Sequence, residues 1–369
     1  MQYRRSAIEI ESPEQIGYGR IRYNLSESSF SDQYLDLSKL SLPPQLSLSY
    51  TDHAGNPELR QAIADTYLLQ PDHVLISAGA AAALFIVHTA LLSANDAIVV
   101  VSPNYTTNIE TPRAIGCRVH TLRLDFQRQW SLDFDRLETL LRRDRIKLIS
   151  LTTPHNPSGK MLSAAELYAI SRLADQYGCY VLVDETYRDL RLPNAPDVPL
   201  AATLSDRFIS VSSLSKAYGM PGLRIGWLLC QNTALNELFL AAKEHIFVCN
   251  SIINETLALQ VWQQRALFLA QMMPQVNMRY AALCQWLHSV PDIKVVLPDG
   301  GAVCFVHIEK QNIDIDDFYR QLLDIYQTYV GRGAWFEMPD TYFRIGFAYP
   351  SITELEIGLA NIKAVLELA

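Results

Sequence analysis

Seven short β-prone runs, most of them apolar at nearly every position, recur between residues 74 and 229. They cover 74–76, 97–101, 117–122, 147–151, 180–184, 208–211 and 225–229, and helix-length stretches at 79–92, 107–115, 137–143 and 163–177 separate them. A strand that is apolar on both faces cannot leave one face wet. The sheet is therefore covered on both sides, and crossover helices make it largely parallel. The expected fold class is α/β: a mostly parallel seven-stranded sheet sandwiched by helices. Beyond it, long helices are expected over 235–247 and 254–287. Strands are expected over 293–297, 302–308 and 342–347, and helices over 316–330 and 352–368. That tail describes a smaller α+β domain. Residues 1–23 have weak periodicity and are expected to form an arm. Ser49 to Pro57 is a loop by its turn residues, and Pro57 opens a helix.

Open α/β sheets bind ligands beyond the carboxyl ends of their strands, so the residues just past each run carry the functional information. After the first run, Ser77-Ala78-Gly79-Ala80-Ala81 starts a helix on small residues. Free backbone N–H groups and the helix dipole favour a phosphate there, although a tight helix start explains the same residues. Neither GxGxxG nor GK[ST] is present. After the second run, Tyr105 either lies flat on a heteroaromatic ring or covers the sheet edge. After residue 151, Pro154-His155-Asn156-Pro157-Ser158-Gly159 is a proline-rich turn that offers Asn156 to a ring hydroxyl. After residue 183, Asp184 ends an apolar strand, and a nearly buried carboxylate needs a cation. A protonated pyridine nitrogen, a helix cap or an internal salt bridge would each serve. Tyr187 falls on the same side, within reach of a phenolate oxygen.

The sixth run leads into Ser212-Ser213-Leu214-Ser215-Lys216-Ala217-Tyr218-Gly219-Met220-Pro221-Gly222-Leu223-Arg224. A lysine in a tight small-residue loop near an arginine suits a Schiff base, because a neighbouring cation favours the neutral amine that attacks a carbonyl. A surface loop with a solvated lysine suits it equally. One ligand accounts for all the strand tips together. Pyridoxal 5′-phosphate needs a lysine for its aldehyde (Lys216) and an acid for its nitrogen (Asp184). It needs donors for its phenolate (Asn156, Tyr187) and a ring to stack on (Tyr105). Its phosphate needs a cradle (Gly79, Ala80, Ala81, Ser213, Arg224).

With these motifs the chain resembles the class I/II aminotransferases, fold-type-I pyridoxal-phosphate enzymes, from about Asn24 to the C-terminus. The segments that carry the resemblance are Ser213 to Gly226, Pro154-His155-Asn156-Pro157-Ser158-Gly159 and Val183-Asp184-Glu185-Thr186-Tyr187. Tyr50 with Gly55-Asn56-Pro57-Glu58-Leu59-Arg60, and Gly300-Gly301, add to them. The resemblance implies an enzyme that moves an amino group between an L-amino acid and a 2-oxo acid through a Schiff base on Lys216. Lys216, Asp184 and Tyr187 would be its catalytic residues. It implies a homodimer in which Tyr50 reaches the partner's cofactor phosphate. It puts Arg344 at the substrate α-carboxylate, with Asn156 and Ser26 in the substrate site. Read by itself, Arg344 is an edge-strand arginine facing solvent. The implied division is an arm with part of the small domain over 1–45, a large cofactor domain over 46–275 and a small domain over 276–369.

The chain departs from the family pattern in two places. Ser26-Glu27-Ser28 replaces a glycine-containing substrate loop, so Glu27 would repel an acidic side chain or attract a basic one. Ala80-Ala81 stands where a hydroxyl is common. Two segments, Asn156 to Gly159 and Lys216 to Trp227, are also similar to capreomycidine synthase and related arginine-modifying enzymes. Leu25 to Phe30 is similar to histidinol-phosphate aminotransferase and its decarboxylase relatives. A C–S lyase and a non-catalytic cofactor-binding regulator remain open.

A net charge of −8 without long like-charge runs argues against nucleic acid and anionic membrane as partners. No apolar stretch is long enough for a membrane span, and residues 1–11 lack the apolar core of a secretion signal. The six cysteines form no CxxC and read as reduced thiols of a cytoplasmic protein; no metal site is expected.

Overall fold

The computed structural model describes residues 1–34 and 41–368. The N-terminal arm contains two one-turn helices, α1 (Ala7–Ile10) and α2 (Pro13–Ile16), then a two-residue strand, β1 (Tyr23–Asn24). Helix α3 (Pro57–Tyr67) begins at its proline, and the Asn56 side chain caps it by accepting from Leu59 N at 2.9 Å.

The alternation then follows the sequence pattern: β2 (Val74–Ser77), α4 (Ala80–Leu91), β3 (Ala97–Ser102), α5 (Thr106–Ile115), β4 (Arg118–Arg123), α6 (Phe134–Arg143), β5 (Ile146–Thr152), α7 (Ala164–Tyr177), β6 (Tyr180–Asp184), β7 (Phe208–Ser213) and β8 (Gly226–Cys230). These strands form one seven-stranded sheet in the order β2-β8-β7-β6-β5-β3-β4. Strand β8 runs antiparallel to both neighbours, and the other pairings are parallel.

Strand β3 shows why the sheet must be sandwiched. All its residues are buried. Ile98 and Val100 join a cluster with Leu84 and Val87 of α4, while Val99 and Val101 join another with Leu137 of α6 and Ile170 of α7. Alternate side chains thus feed two cores. Each fully buried aliphatic contributes about 1.5–3 kcal/mol.

The chain continues through α8 (Thr233–Phe247), α9 (Ile252–Gln263), α10 (Arg265–His288), β9 (Ile293–Val295), β10 (Val303–Ile308), α11 (Ile315–Asp324), β11 (Thr328–Tyr329), β12 (Gly331–Arg332), β13 (Tyr342–Gly346) and α12 (Ile352–Leu368). The second sheet has the order β12-β13-β10-β9, all antiparallel. The domain boundary expected near 276 falls inside α10, an unbroken helix of 24 residues.

Two expectations in this half are corrected. Residues 254–287 are not one helix, because the chain breaks at Gln264 between α9 and α10. Tertiary contacts gather at the break: Arg265 donates to Asp189 Oδ1 at 3.2 Å and to Tyr218 Oη at 3.3 Å, and lies over the Trp262 ring. Local periodicity carries no trace of these distant partners. The helix expected over 316–330 ends at Asp324. Thr328 and Tyr329, good strand formers, pair in parallel with Tyr23 and Asn24 of the arm instead.

His88 sits on α4 with its side chain wholly buried, and among the described residues neither ring nitrogen has a partner of good hydrogen-bond geometry. Burial pushes its pKa down to about 4. Between pH 6.5 and 4 the unfolded chain therefore binds a proton that the folded chain does not, so stability falls as pH falls through that window. His88→Leu should remove about 2 kcal/mol of the stability lost between pH 7 and 4.5. Denaturant unfolding curves at the two pH values measure the difference.

Candidate active site

The carboxyl ends of β2, β3, β5, β6 and β7 open on a single cavity of about 590 Å³. Ser26, Ala80, Ala81, Tyr105, Asn156, Asp184, Tyr187, Ser213, Lys216, Arg224 and Arg344 all line it. Residues singled out past different strands thus border one space, together with Ser26 and Arg344, which the resemblance alone implied.

One end is built for an anion. Gly79 precedes α4 with φ +86°, and a Cβ there would lie 2.7 Å from Arg224 Nη2. Arg224 has φ +49° and donates to the carbonyls of Ala78 and Pro221, each at 3.1 Å. Its guanidinium is thereby docked on the first turn of α4, whose leading N–H groups have no intrahelical acceptor. Ser213 adds a hydroxyl, with Oγ accepting from Ser215 N at 3.2 Å.

Asp184 forms the floor and is 6% exposed. Its Oδ1 accepts from Thr186 N at 3.1 Å and from the Thr186 hydroxyl. Among the described residues no ion pair reaches it. Burial pushes its pKa up, while Thr186, Asn108 and the Lys216 charge pull the other way. Asn108 belongs to a buried polar row: it accepts from Ser150 Oγ at 3.3 Å and donates to Asn104 Oδ1 at 3.3 Å. Sequence reasoning missed Asn108. The available sign was an asparagine one helical turn after Asn104.

His155 fixes the turn that bears Asn156. Its Nε2 lies 2.7 Å from Pro103 O, a pure acceptor, so Nε2 carries the proton and Nδ1 accepts from Ser158 Oγ at 2.8 Å. Burial holds the ring neutral, with its pKa lowered to about 4.

Lys216 is half-buried, and its Nζ donates to Ser28 Oγ at 3.1 Å. The Tyr187 hydroxyl is buried near Ser28 without a hydrogen bond of good geometry, and burial pushes its pKa to about 12. Tyr105 is half-buried and N-terminal to α5.

The reading of Arg344 as a solvent-facing edge residue is overturned. Strand β13 pairs on both sides, and Arg344 is 3% exposed. It donates to Asn156 Oδ1 at 2.9 Å and to Ser26 O at 2.6 Å, and it lies over the rings of Trp335 and Phe336. Its Nε is buried with no acceptor among the described residues. The Ser26 hydroxyl is committed to Asn24 Oδ1 at 2.8 Å, so it is the Ser26 carbonyl that holds Arg344.

Parts of α1 and α2, unforeseen in the sequence, line the cavity mouth, where Glu9, Pro13 and Glu14 approach it. Tyr50 stays outside. It is 81% exposed and borders a separate groove with Leu48 and Ile253.

The unmet groups match pyridoxal 5′-phosphate one for one. A nitrogen nucleophile stands where the aldehyde is needed, an unpaired buried acid suits the pyridinium, and Tyr187 has a free hydroxyl. The helix start with Arg224 suits a phosphate. Fold and cavity together define a pyridoxal-phosphate-dependent aminotransferase of fold type I. The model of the family "Aminotransferase class I and II" matches residues 42–362, and the chain belongs to that family. It is 27% identical over 312 residues to an aspartate aminotransferase of Musicola paradisiaca, covering 81% of this chain and 77% of that one. It is 29% identical over 313 residues to the capreomycidine synthase of Streptomyces vinaceus, covering 85% and 79%. The crystal structure of a PLP-dependent aminotransferase from Streptococcus suis superposes with a TM-score of 0.91 at 25% identity, covering 100% of this chain and 99% of that one.

Gly79→Ala places a methyl group against the Arg224 guanidinium, in a positive-φ extended conformation that costs a non-glycine residue about 1–3 kcal/mol. The variant should bind pyridoxal phosphate at least about tenfold more weakly with its circular dichroism intact. Fluorescence titration of the cofactor-free protein reads the affinity.

Proposed function

We propose that this protein transfers the amino group of an L-amino acid to a 2-oxo acid, with the cofactor carried on Lys216. The observation that carries the reading is that Lys216, Asp184 and Arg344 face one cavity. Bound there, pyridoxal phosphate supplies the electron sink that makes an α-proton acidic. Asp184 would keep the ring nitrogen protonated, Tyr187 and Asn156 would hold the phenolate oxygen, and Tyr105 would stack on the ring. Arg224, Ser213 and the start of α4 would bind the phosphate.

Arg344 binds the α-carboxylate of the substrate. A planar fork suits a carboxylate better than an ammonium would, and its buried Nε is a donor awaiting an acceptor. With the cofactor bound, the Lys216 amine would be the general base that takes up and gives back the substrate α-proton. The Ser28 hydroxyl, 3.1 Å from Nζ, steadies that amine. The relatives bear names for different substrates, so likeness alone does not name the donor.

Borohydride reduction of the yellow holoprotein should fix the cofactor to Lys216, located by peptide mass mapping. One amino acid, without an oxo acid, should then convert unreduced enzyme stoichiometrically to its aminated form. A label on another lysine, or release of ammonia with pyruvate or of carbon dioxide, would count against transamination by this set.

We also infer a homodimer in which Tyr50 serves the partner's phosphate site. Its exposure and the apolar residues around it, Leu48 and Ile253 among them, support this. Sedimentation should give twice the chain mass, and Tyr50→Phe should weaken cofactor binding several-fold.

A further inference from the structure

We propose that Glu27 selects amino donors whose side chain ends in a cation, a guanidinium or an ammonium. The proposal rests on the transaminase reading above and adds the class of substrate.

The segment bearing Glu27 is pinned on both sides. Leu25 O accepts from Gly346 N at 2.6 Å, and Ser26 O accepts from Arg344 Nη2 at 2.6 Å. Phe30 N donates to Lys216 O at 2.8 Å. The packing leaves no slack, since a Cβ on Gly346 would lie 1.6 Å from Glu27 O. Glu27 is thus fixed immediately after the carbonyl that touches the α-carboxylate arginine, and its neighbour Ser28 touches the lysine amine. A substrate held at its α-carboxylate and α-nitrogen sends its side chain past this residue.

The Glu27 side chain lines the cavity and is half-buried. Among the described residues it has no hydrogen bond and no ion pair. Burial raises its pKa, Glu14 and Asp32 raise it further, and Lys216 and Arg344 oppose them. Tyr18 feels the same three carboxylates, Glu14, Glu27 and Asp32. The charges around the mouth are therefore unbalanced. Lys216, Arg224 and Arg344 have assigned duties, and Asp32 accepts from Tyr349 Oη at 2.9 Å. Arg5 is exposed and donates to the backbone carbonyl of Glu9 at 3.0 Å. Glu9, Glu14 and Glu27 remain as lining carboxylates without a described cation, apart from exposed Arg5.

Three kinds of side chain can enter. An acidic one meets like charge. An apolar one strips water from Glu27 and returns no hydrogen bond, which is costly for a carboxylate. A guanidinium or ammonium restores the lost solvation with a charge-assisted hydrogen bond.

The test uses holoenzyme. Single-turnover amination of the bound cofactor is followed by absorbance with L-arginine, L-lysine, L-leucine and L-aspartate. Calorimetry compares 5-guanidinovalerate with hexanoate, neither of which has an α-amine and neither of which can react. Arginine or lysine should exceed leucine and aspartate at least tenfold, and guanidinovalerate should bind at least tenfold more tightly than hexanoate. Glu27→Gln should lower both ratios about tenfold or more, and Glu27→Asp should retain most of them. Equal or better rates with aspartate or leucine overturn the proposal while leaving the transaminase intact, as do ratios unmoved in Glu27→Gln. Cofactor that fails to attach to Lys216, and that no donor aminates, overturns the functional reading and this proposal with it.

Discussion

A single guanidinium holds three remote stretches of the chain in register. Arg344 projects from the small sheet, grips Asn156 beyond β5 of the large sheet, and grips the Ser26 carbonyl of the arm segment. Trp335 and Phe336 cover its plane. A charge this deeply buried needs partners for its donors, and removing either acceptor of Nη1 or Nη2 would leave the cation still less compensated. One fork of nitrogens thus ties arm, large sheet and small sheet together at the cavity. Lysine, with a single point charge, could not bridge the same acceptors.

The rest of the cavity is defined by what its residues lack. Among the described residues, Asp184 is buried without a cation, the Tyr187 hydroxyl has no good partner, and Arg344 Nε has no acceptor. Native interiors satisfy nearly all such groups, because each one left alone costs about 1–3 kcal/mol. Concentrating several deficits in one space is unfavourable for the empty chain. It is favourable once an anionic, heteroaromatic cofactor and a zwitterionic substrate fill it.

The large sheet was legible in the sequence because strands such as β3, apolar on both faces, admit only a sandwiched layer. The site was legible because each strand tip carries a residue of distinct chemistry, from Asp184 to Lys216. What escaped was whatever depends on residues distant in sequence. The break at Gln264 is anchored by Asp189 and Tyr218, and β11 exists because Tyr23 and Asn24 lie alongside it. The burial of Arg344 needs β12 on its outer side, and β12 is two residues long, too short to register as a strand. Ser28 was visible as a residue, but its contact with Lys216 spans 188 positions, far beyond any local window.

The roof of the cavity has a timing of its own. Glu11 connects the arm to Trp335 through its carboxylate, at 2.6 Å, and to Tyr329 through its carbonyl, at 2.7 Å. During synthesis these partners leave the ribosome more than 300 residues after Glu11 itself, at sequence separations of 324 and 318. This latch cannot close until almost the whole chain has been made, although Gln2 and Arg4 of the same arm bond to Ala114 and Glu110 of α5, which are made far earlier. The large sheet can assemble in the meantime, and its strand tips stay open to solvent until the latch arrives.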